Sequence, residues 1–512
     1  MISSLHCCDL AQRFSWATRR SEFCPWIDQL KWMEFMWSTR SLFFALLLLL
    51  AGCATTTRTV NPPHKPIDPS GPMSMERQGQ SQAQSESLVI LAFSGGGTRA
   101  AAFSYGVLEA LKRTEIETRT GQSARLLDQI DIITGVSGGS FTALAYRLHG
   151  DKLFDEYEKR FLKRDVQGEI TRRTLNPANW GALSSPGWGR SELAADLYDE
   201  ILFDGATFAD LRRTDGPSIA VSATDLASGS RLLFTRQNFD FLCADLDSFR
   251  IARAAAASSA VPAVLSPLTI NNYGGSCGFV NPPWVTMFLD NADPPRPAAR
   301  VLKRLNELRA IGDGAETPYL HLVDGGVADN LGLRGVLDTL QLFEALQDAG
   351  QKTPLDRVKR IVVFVVNSVS TPATEWSKSE DAPGSITVLL KSSGVPIDRY
   401  SGEQVDQLKD MEARWKTLRQ VRNLATFANP KDPVAVAITN VSDAELYVVD
   451  VSFAALNDKA ERAFLNELPT SFVLKDEEVD RLRAAAAKIV LDSPDFQRLL
   501  KDVGAKIVGG RP

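Results

Sequence analysis

From Leu88 onward the chain alternates short, nearly unbroken apolar runs with longer stretches of helical period. The runs are "LVILAF" (88–93), "IDIIT" (130–134), "SIAVSAT" (218–224), "YLHLVD" (319–324) and "IVVFVVN" (361–367). Two more, "VAVAIT" (434–439) and "ELYVVDVSF" (445–453), come late. Strands without a polar face are buried on both sides, which points to a parallel sheet covered by helices. The segments between supply those helices: "AAAFSYGVLEALKR" (100–113) and "LRGVLDTLQLFEALQD" (333–348) place apolar residues three or four positions apart. The pattern predicts an α/β fold with a mainly parallel central sheet, in one domain over 88–505. A helical tail including "DEEVDRLRAAAAKIVL" (476–491) closes it. "LKRLNELR" (302–309) reads as a helix with a solvated, charged face.

The pattern changes upstream. Residues 53–87 are rich in Pro, Thr, Ser and Gln and predict a flexible tether. Before it, Arg40 precedes an apolar run from Leu42 to Leu50 that is too short to span a bilayer but fits a signal-peptide core. Leu50-Ala51-Gly52-Cys53 resembles the lipobox of bacterial lipoproteins. That resemblance implies cleavage before Cys53, diacylation of its thiol and export from the cytoplasm. A leader of 1–52 is long, and 1–32 shows no periodicity, so translation is expected to begin at Met33 or Met36. Ala54, in place of the Asp tied to inner-membrane retention, implies the outer membrane of a two-membrane cell, facing the periplasm.

Hydrophobic residues make up 44% of the chain and charged residues 23%, with a net charge of −5. This mild acidity, without a basic stripe, argues against nucleic acid as a partner. Of the six cysteines, Cys7, Cys8 and Cys24 fall in the leader and Cys53 at the lipobox. Cys243 and Cys277 remain, either as a disulfide in an oxidising periplasm or as two separate buried thiols. Their spacing and the scarcity of histidine argue against zinc.

Three motifs carry chemistry. "LAFSGGGTRAAAFSYG" (91–106) runs from strand through three glycines into helix, where N–H groups can cradle an oxyanion or a phosphate. Gly95 to Ala100 also fits the loose dinucleotide fingerprint, but no acidic residue marks the end of the second strand. Gly135-Val136-Ser137-Gly138-Gly139 matches G-x-S-x-G between strand and helix, the elbow that lifts a serine hydroxyl clear of the backbone. In "VDGGVADNLGL" (323–333), Asp324 ends a strand where α/β sheets place their sites, ahead of Gly325 and Gly326. It equally fits a helix cap, as do Asp329 and Asn330. The four histidines are His6, His64, His149 and His321, and none follows Asp324. The Ser–Asp–His order of an α/β-hydrolase triad is therefore ruled out. His321 is expected to be packed and to point away from Asp324. Asp324 is left as a direct base.

"SGGGTRA", "GVSGG" and "DGG", in that order, resemble the patatin-like phospholipase family. "ASSAVPAVLSPL" (257–268) extends the resemblance, which covers 88 to about 500. It implies a three-layer α/β/α fold and a Ser-Asp dyad of Ser137 and Asp324. It also implies an oxyanion hole from Gly96 and Gly97, with Gly95 and Arg99 supporting the loop. Gly135, Gly139, Gly325 and Gly326 are then motif glycines. Ala100, where the plant-type motif ends in Gly, brings the loop closer to the cytosolic phospholipase A2 form. The implied substrate is a phospholipid or another fatty-acyl ester, with no metal or cofactor. Val261–Leu268, Trp284, Met287 and Phe288 are candidates for an acyl channel or for core packing. A catalytically silent lipid-binding scaffold and a dinucleotide-binding protein are the alternatives.

Overall fold

A computed structural model describes residues 61–64 and 86–507, leaving out 118–122, 213–215, 263, 282, 290–298, 373–374 and 423–441. The leader, Cys53, most of the tether and the apolar run 434–439 lie outside the described residues.

Eleven strands are described. They are β1 (Ser87–Phe93), β2 (Glu115–Glu117), β3 (Ser123–Arg125), β4 (Ile132–Val136), β5 (Ser218–Asp225) and β6 (Arg231–Leu233). After them come β7 (Leu268–Asn271), β8 (Tyr319–Asp324), β9 (Arg360–Asn367), β10 (Glu445–Ser452) and β11 (Lys506–Ile507). The main sheet runs β10-β9-β1-β4-β5-β8-β7, with β6 also on β5, and β11-β2-β3 form a small second sheet. The five strands from β10 to β5 are parallel. Their apolar runs are buried because helices cover both faces. On one face lie α1 (Gly97–Arg113), α2 (Gly138–His149), α3 (Arg190–Tyr198), α4 (Ile251–Ser258) and the tail helix α8 (Asp476–Asp492). On the other lie α6 (Arg334–Asp348) and α7 (Ser385–Arg422). No helix among the described residues is long and apolar enough to cross a membrane.

Three expectations are corrected. The strand ending in Asp324 is antiparallel to β5, not parallel, and β7 is antiparallel to it in turn. An apolar run carries no record of strand direction, so its hydropathy misled. The charged segment 302–309 lies in helix α5 (Ala299–Ile311), where Leu305 and Leu308 are buried. Arg304 also turns inward, donating to the Arg231 carbonyl at 2.6 Å and to Asn238 Oδ1 at 2.8 Å. Asn61–His64, inside the expected tether, are held against the fold. Of the two readings left open for Met287 and Phe288, core packing is the one found, with Val285, Val301 and Leu305 in a small separate core. Cys243 and Cys277 are joined as a disulfide, with Cα atoms 5.5 Å apart.

Candidate active site

β5 sets the geometry through the alternation of its backbone groups. From even positions, Ser218 N–H bonds the Asp131 carbonyl at the foot of β4, and Leu226 N–H bonds the His321 carbonyl in β8. From odd positions, Val221 O and Asp225 N–H serve the β6 hairpin. β4 and β8 therefore follow each other along one edge of β5 and meet end to end. Val136 closes β4 opposite Ser222, and Asp324 closes β8 opposite Ala223, one residue further on. The chain must leave the sheet at Ser137, and it does so with φ 49° and ψ −121°. That conformation is rare for a residue with a Cβ and is the kind of strain concentrated at functional sites.

The meeting brings Ser137 Oγ to Asp324 Oδ2, a hydrogen bond of 2.7 Å. The other carboxylate oxygen accepts Gly326 N–H at 2.7 Å, so Asp324 also caps the turn after it. The two uses are compatible because each takes one oxygen. Ala260 O accepts Asp324 N–H, Ser258 O accepts Gly325 N–H, and Ser258 Oγ accepts Ser137 N–H at 2.9 Å. Thr224 Oγ1 donates to the Asp324 carbonyl at 3.0 Å. Ser258 and Thr224 thus hold both halves of the pair, roles that sequence reasoning missed. "ASSAVP" was the available signal for the first.

Asp324 is 7% exposed, and burial lifts its pKa to about 6 against the lowering effect of the Ser137 and Gly326 hydrogen bonds. A carboxylate near 6 is a far better acceptor for a hydroxyl proton than an ordinary one. If the pair acts as nucleophile and base, kcat/KM for an ester should fall about tenfold per pH unit below about 6, where Asp324 takes up a proton. A rate independent of pH between 4.5 and 7 would contradict this role.

The glycine loop packs directly on the elbow. Gly97 has φ 61°, and a Cβ there would run into the Ser471 carbonyl oxygen, while one on Gly138 would meet the Gly97 carbonyl oxygen. Thr98 N–H already bonds Ser471 O, and Gly95 N–H bonds Asn330 O. A dinucleotide pyrophosphate would have to displace that Ser471 carbonyl. Gly96 and Gly97, at the head of α1, keep N–H groups without a backbone acceptor among the described residues. Arg99 is buried and ties the loop down through neutral oxygens: Ser368 O at 2.8 Å, Leu468 O at 2.6 Å and Thr470 Oγ1 at 3.1 Å. Burial lowers it to about 10, with Asp398 opposing, so it remains a cation at neutral pH.

Other carboxylates and histidines are committed elsewhere. Asp329 Oδ2 accepts from Arg231 at 2.9 Å and from Arg334 N–H at 3.0 Å. His149 Nε2 lies 2.8 Å from Leu202 O. His321 is exposed and not packed, with Nδ1 3.0 Å from Thr269 Oγ1, because its face of the antiparallel β7–β8 pair is left uncovered. His321→Ala should leave the hydrolysis rate within about twofold of wild type, and a larger loss would return histidine to the mechanism.

Residues 91–337 match the family model described as patatin-like phospholipase. Over that span, just under half of the chain, the sequence has the pattern of a patatin-like phospholipase domain. No curated protein matches the chain. Among solved structures, human GIVD cytosolic phospholipase A2 in complex with methyl gamma-linolenyl fluorophosphonate is similar at 14% identity and a TM-score of 0.38. That alignment covers 84% of this chain and 62% of the human one. The same human protein without that compound aligns at 13% identity and a TM-score of 0.38, over 88% of this chain and 68% of its own. ExoU, from the type III secretion system of Pseudomonas aeruginosa and solved with SpcU, aligns at 14% identity and a TM-score of 0.19, over 81% and 90%. The patatin-like domain contains both Ser137 and Asp324, together with the glycine loop and the elbow.

Proposed function

We propose that the chain is a serine acyl hydrolase of membrane lipids, with Ser137 as nucleophile and Asp324 as its base. The observation that carries this reading is the 2.7 Å hydrogen bond between them at a positive-φ elbow. Ser137 Oγ attacks the ester carbonyl as its proton passes to Asp324 Oδ2. The N–H groups of Gly96 and Gly97 receive the oxyanion, a stabilisation of roughly 3–4 kcal/mol per donor in comparable sites. Collapse of the tetrahedral species expels the alcohol, which recovers the proton from Asp324. Water, deprotonated by the same carboxylate, then releases the fatty acid and restores the serine. The scheme calls for no metal or cofactor.

The patatin-like domain supports a phospholipid or another fatty-acyl ester as substrate. The lipobox-like Leu50–Cys53 supports a diacylated Cys53 and an outer-membrane position facing the periplasm, where a Cys243–Cys277 disulfide is stable. The test is labelling of the mature protein with a fluorophosphonate, followed by mass spectrometry. The expected adduct is on Ser137, with fatty acid released from phospholipid vesicles. A protein that binds lipid but takes no label would instead be the silent scaffold.

A further inference from the structure

The Pro-rich segment after Cys53 is captured before it reaches β1. Asn61 is buried at the free edge of β7, where its side chain pairs with both backbone groups of Asn271. Asn271 N–H donates to Asn61 Oδ1 at 2.7 Å, and Asn61 Nδ2 donates to Asn271 O at 3.1 Å. Tyr273 Oη donates to the Asn61 carbonyl at 2.8 Å. His64 N–H bonds Cys243 O, and Asp245 N–H bonds Pro62 O, so 61–64 forms a strap beside the disulfide.

The strap lies at a defined end of the sheet. Asn271 is paired with Tyr319, five residues along β8 from Asp324, which is about 17 Å at ~3.3 Å per residue. β8 pairs only with the last three residues of β5 and then runs on past it. The strap is therefore docked beyond the Ser137–Asp324 pair, outward from the end of the sheet that carries it. Exposed apolar side chains flank the same strands. Tyr319 is 58% exposed, and Leu226, whose N–H bonds the His321 carbonyl, is 57% exposed. Val264, before β7, is 54% exposed, and Val280, past the disulfide loop, is 72% exposed.

Chain length sets the orientation. Asn61 follows Cys53 by eight residues, a reach of at most about 29 Å. A compact body of about 420 residues has a radius of gyration of about 22 Å and is roughly 55 Å across. A lipid on Cys53 cannot reach round such a body to its far side. A free tether of 34 residues would instead average about 30–35 Å with a far longer maximum, and would let any face turn to the membrane.

We infer that the end of the sheet carrying Ser137 and Asp324 is the bilayer-facing surface, with Leu226, Val264, Val280 and Tyr319 at the contact. The inference rests on the lipid-anchored acyl hydrolase proposed above. The occupant is the bilayer that holds the Cys53 acyl chains, and the strap is the device that limits the distance.

The test uses full-length diacylated protein in vesicles of phosphatidylethanolamine and phosphatidylglycerol. An environment-sensitive fluorophore on Val280→Cys should brighten and shift to the blue. The same label on Lys359→Cys, just ahead of β9 and at the opposite end of the parallel strands, should not. Inserting twenty Gly/Ser residues between Thr57 and Arg58 should lower vesicle phospholipid hydrolysis about tenfold and leave hydrolysis of a soluble short-chain ester unchanged. Asn61→Ala should move both readouts in the same direction. A silent label at position 280, or an insertion without effect, on protein whose Cys53 lipid is verified by mass, overturns the surface alone. An unmodified Cys53 overturns the anchoring reading and this inference with it, and failure of Ser137 to take a fluorophosphonate marks failure of the hydrolase reading.

Discussion

Ser137→Ala should be inert toward fatty-acyl esters, and Asp324→Asn should lose a factor of about 10³–10⁴. In the alanine variant no oxygen remains to form the acyl-enzyme. In the asparagine variant the nucleophile is intact but its proton has no acceptor, and general-base assistance is worth up to about 10⁴. That factor corresponds to roughly 5.5 kcal/mol of barrier. The fold should survive both changes. The substituted amide would still accept Gly326 N–H through its carbonyl oxygen while its NH₂ group faces Ser137 Oγ, in place of the 2.7 Å contacts now made by Oδ1 and Oδ2 of Asp324. Initial rates on a phospholipid, with fluorophosphonate labelling rates in parallel, make the measurement. An asparagine variant within tenfold of wild type would remove Asp324 from the mechanism.

The same variant should be more stable than wild type at pH 8, by up to about 3 kcal/mol, with the gain gone near pH 4. Asp324 titrates at about 6 in the folded protein and at an ordinary, lower value when unfolded, because burial disfavours its charge. With the folded pKa raised, the folded state holds its proton more tightly, and the associated stability is present at low pH. It is lost as the pH rises from about 4 through about 6. A rise of roughly two pH units is worth about 3 kcal/mol, which is the upper size of the effect. Asparagine carries no charge to desolvate, so the penalty disappears where it is largest. Thermal or denaturant unfolding of both proteins at pH 4, 6 and 8 gives the comparison. A constant difference across that range would show that burial of the Asp324 charge is not its source.

What the sequence made legible follows from what hydropathy and glycine spacing encode. The nearly unbroken apolar runs of β1, β5 and β9 mark strands buried on both faces, and these are the inner parallel strands together with β4. The glycines around Ser137 were readable because a turn that tight excludes side chains beside it. Strand direction was not readable, since "YLHLVD" reads alike in a parallel and an antiparallel partner. The inward turn of Arg304 was hidden as well. Its cost is met by acceptors on segments around 231 and 238, far away in sequence. Alternation put His321 on the face away from Asp324, but that face of the β7–β8 pair is exposed, and a strand's sequence does not say which of its faces is covered. Asn61 was invisible for another reason. A Pro-flanked asparagine has the composition of a linker, and its role depends on an unpaired strand edge over two hundred residues downstream.

The head-on meeting of β4 and β8 along one edge of β5 has a consequence for how such a protein can change. Ser137 and Asp324 are brought together by strand register, with Val136 opposite Ser222 and Asp324 opposite Ala223, and are pinned there by Thr224 and the Ser258–Ala260 turn. Between β6 and β8 only the turn Ser258–Ala260 bonds the pair directly, and the helical stretch between α2 and β5 makes no backbone hydrogen bond to it among the described residues. The rest of those excursions can lengthen, shrink or be exchanged without separating Ser137 from Asp324. Chemistry is inherited with the sheet, and the choice of substrate is left to the parts that can be rewritten.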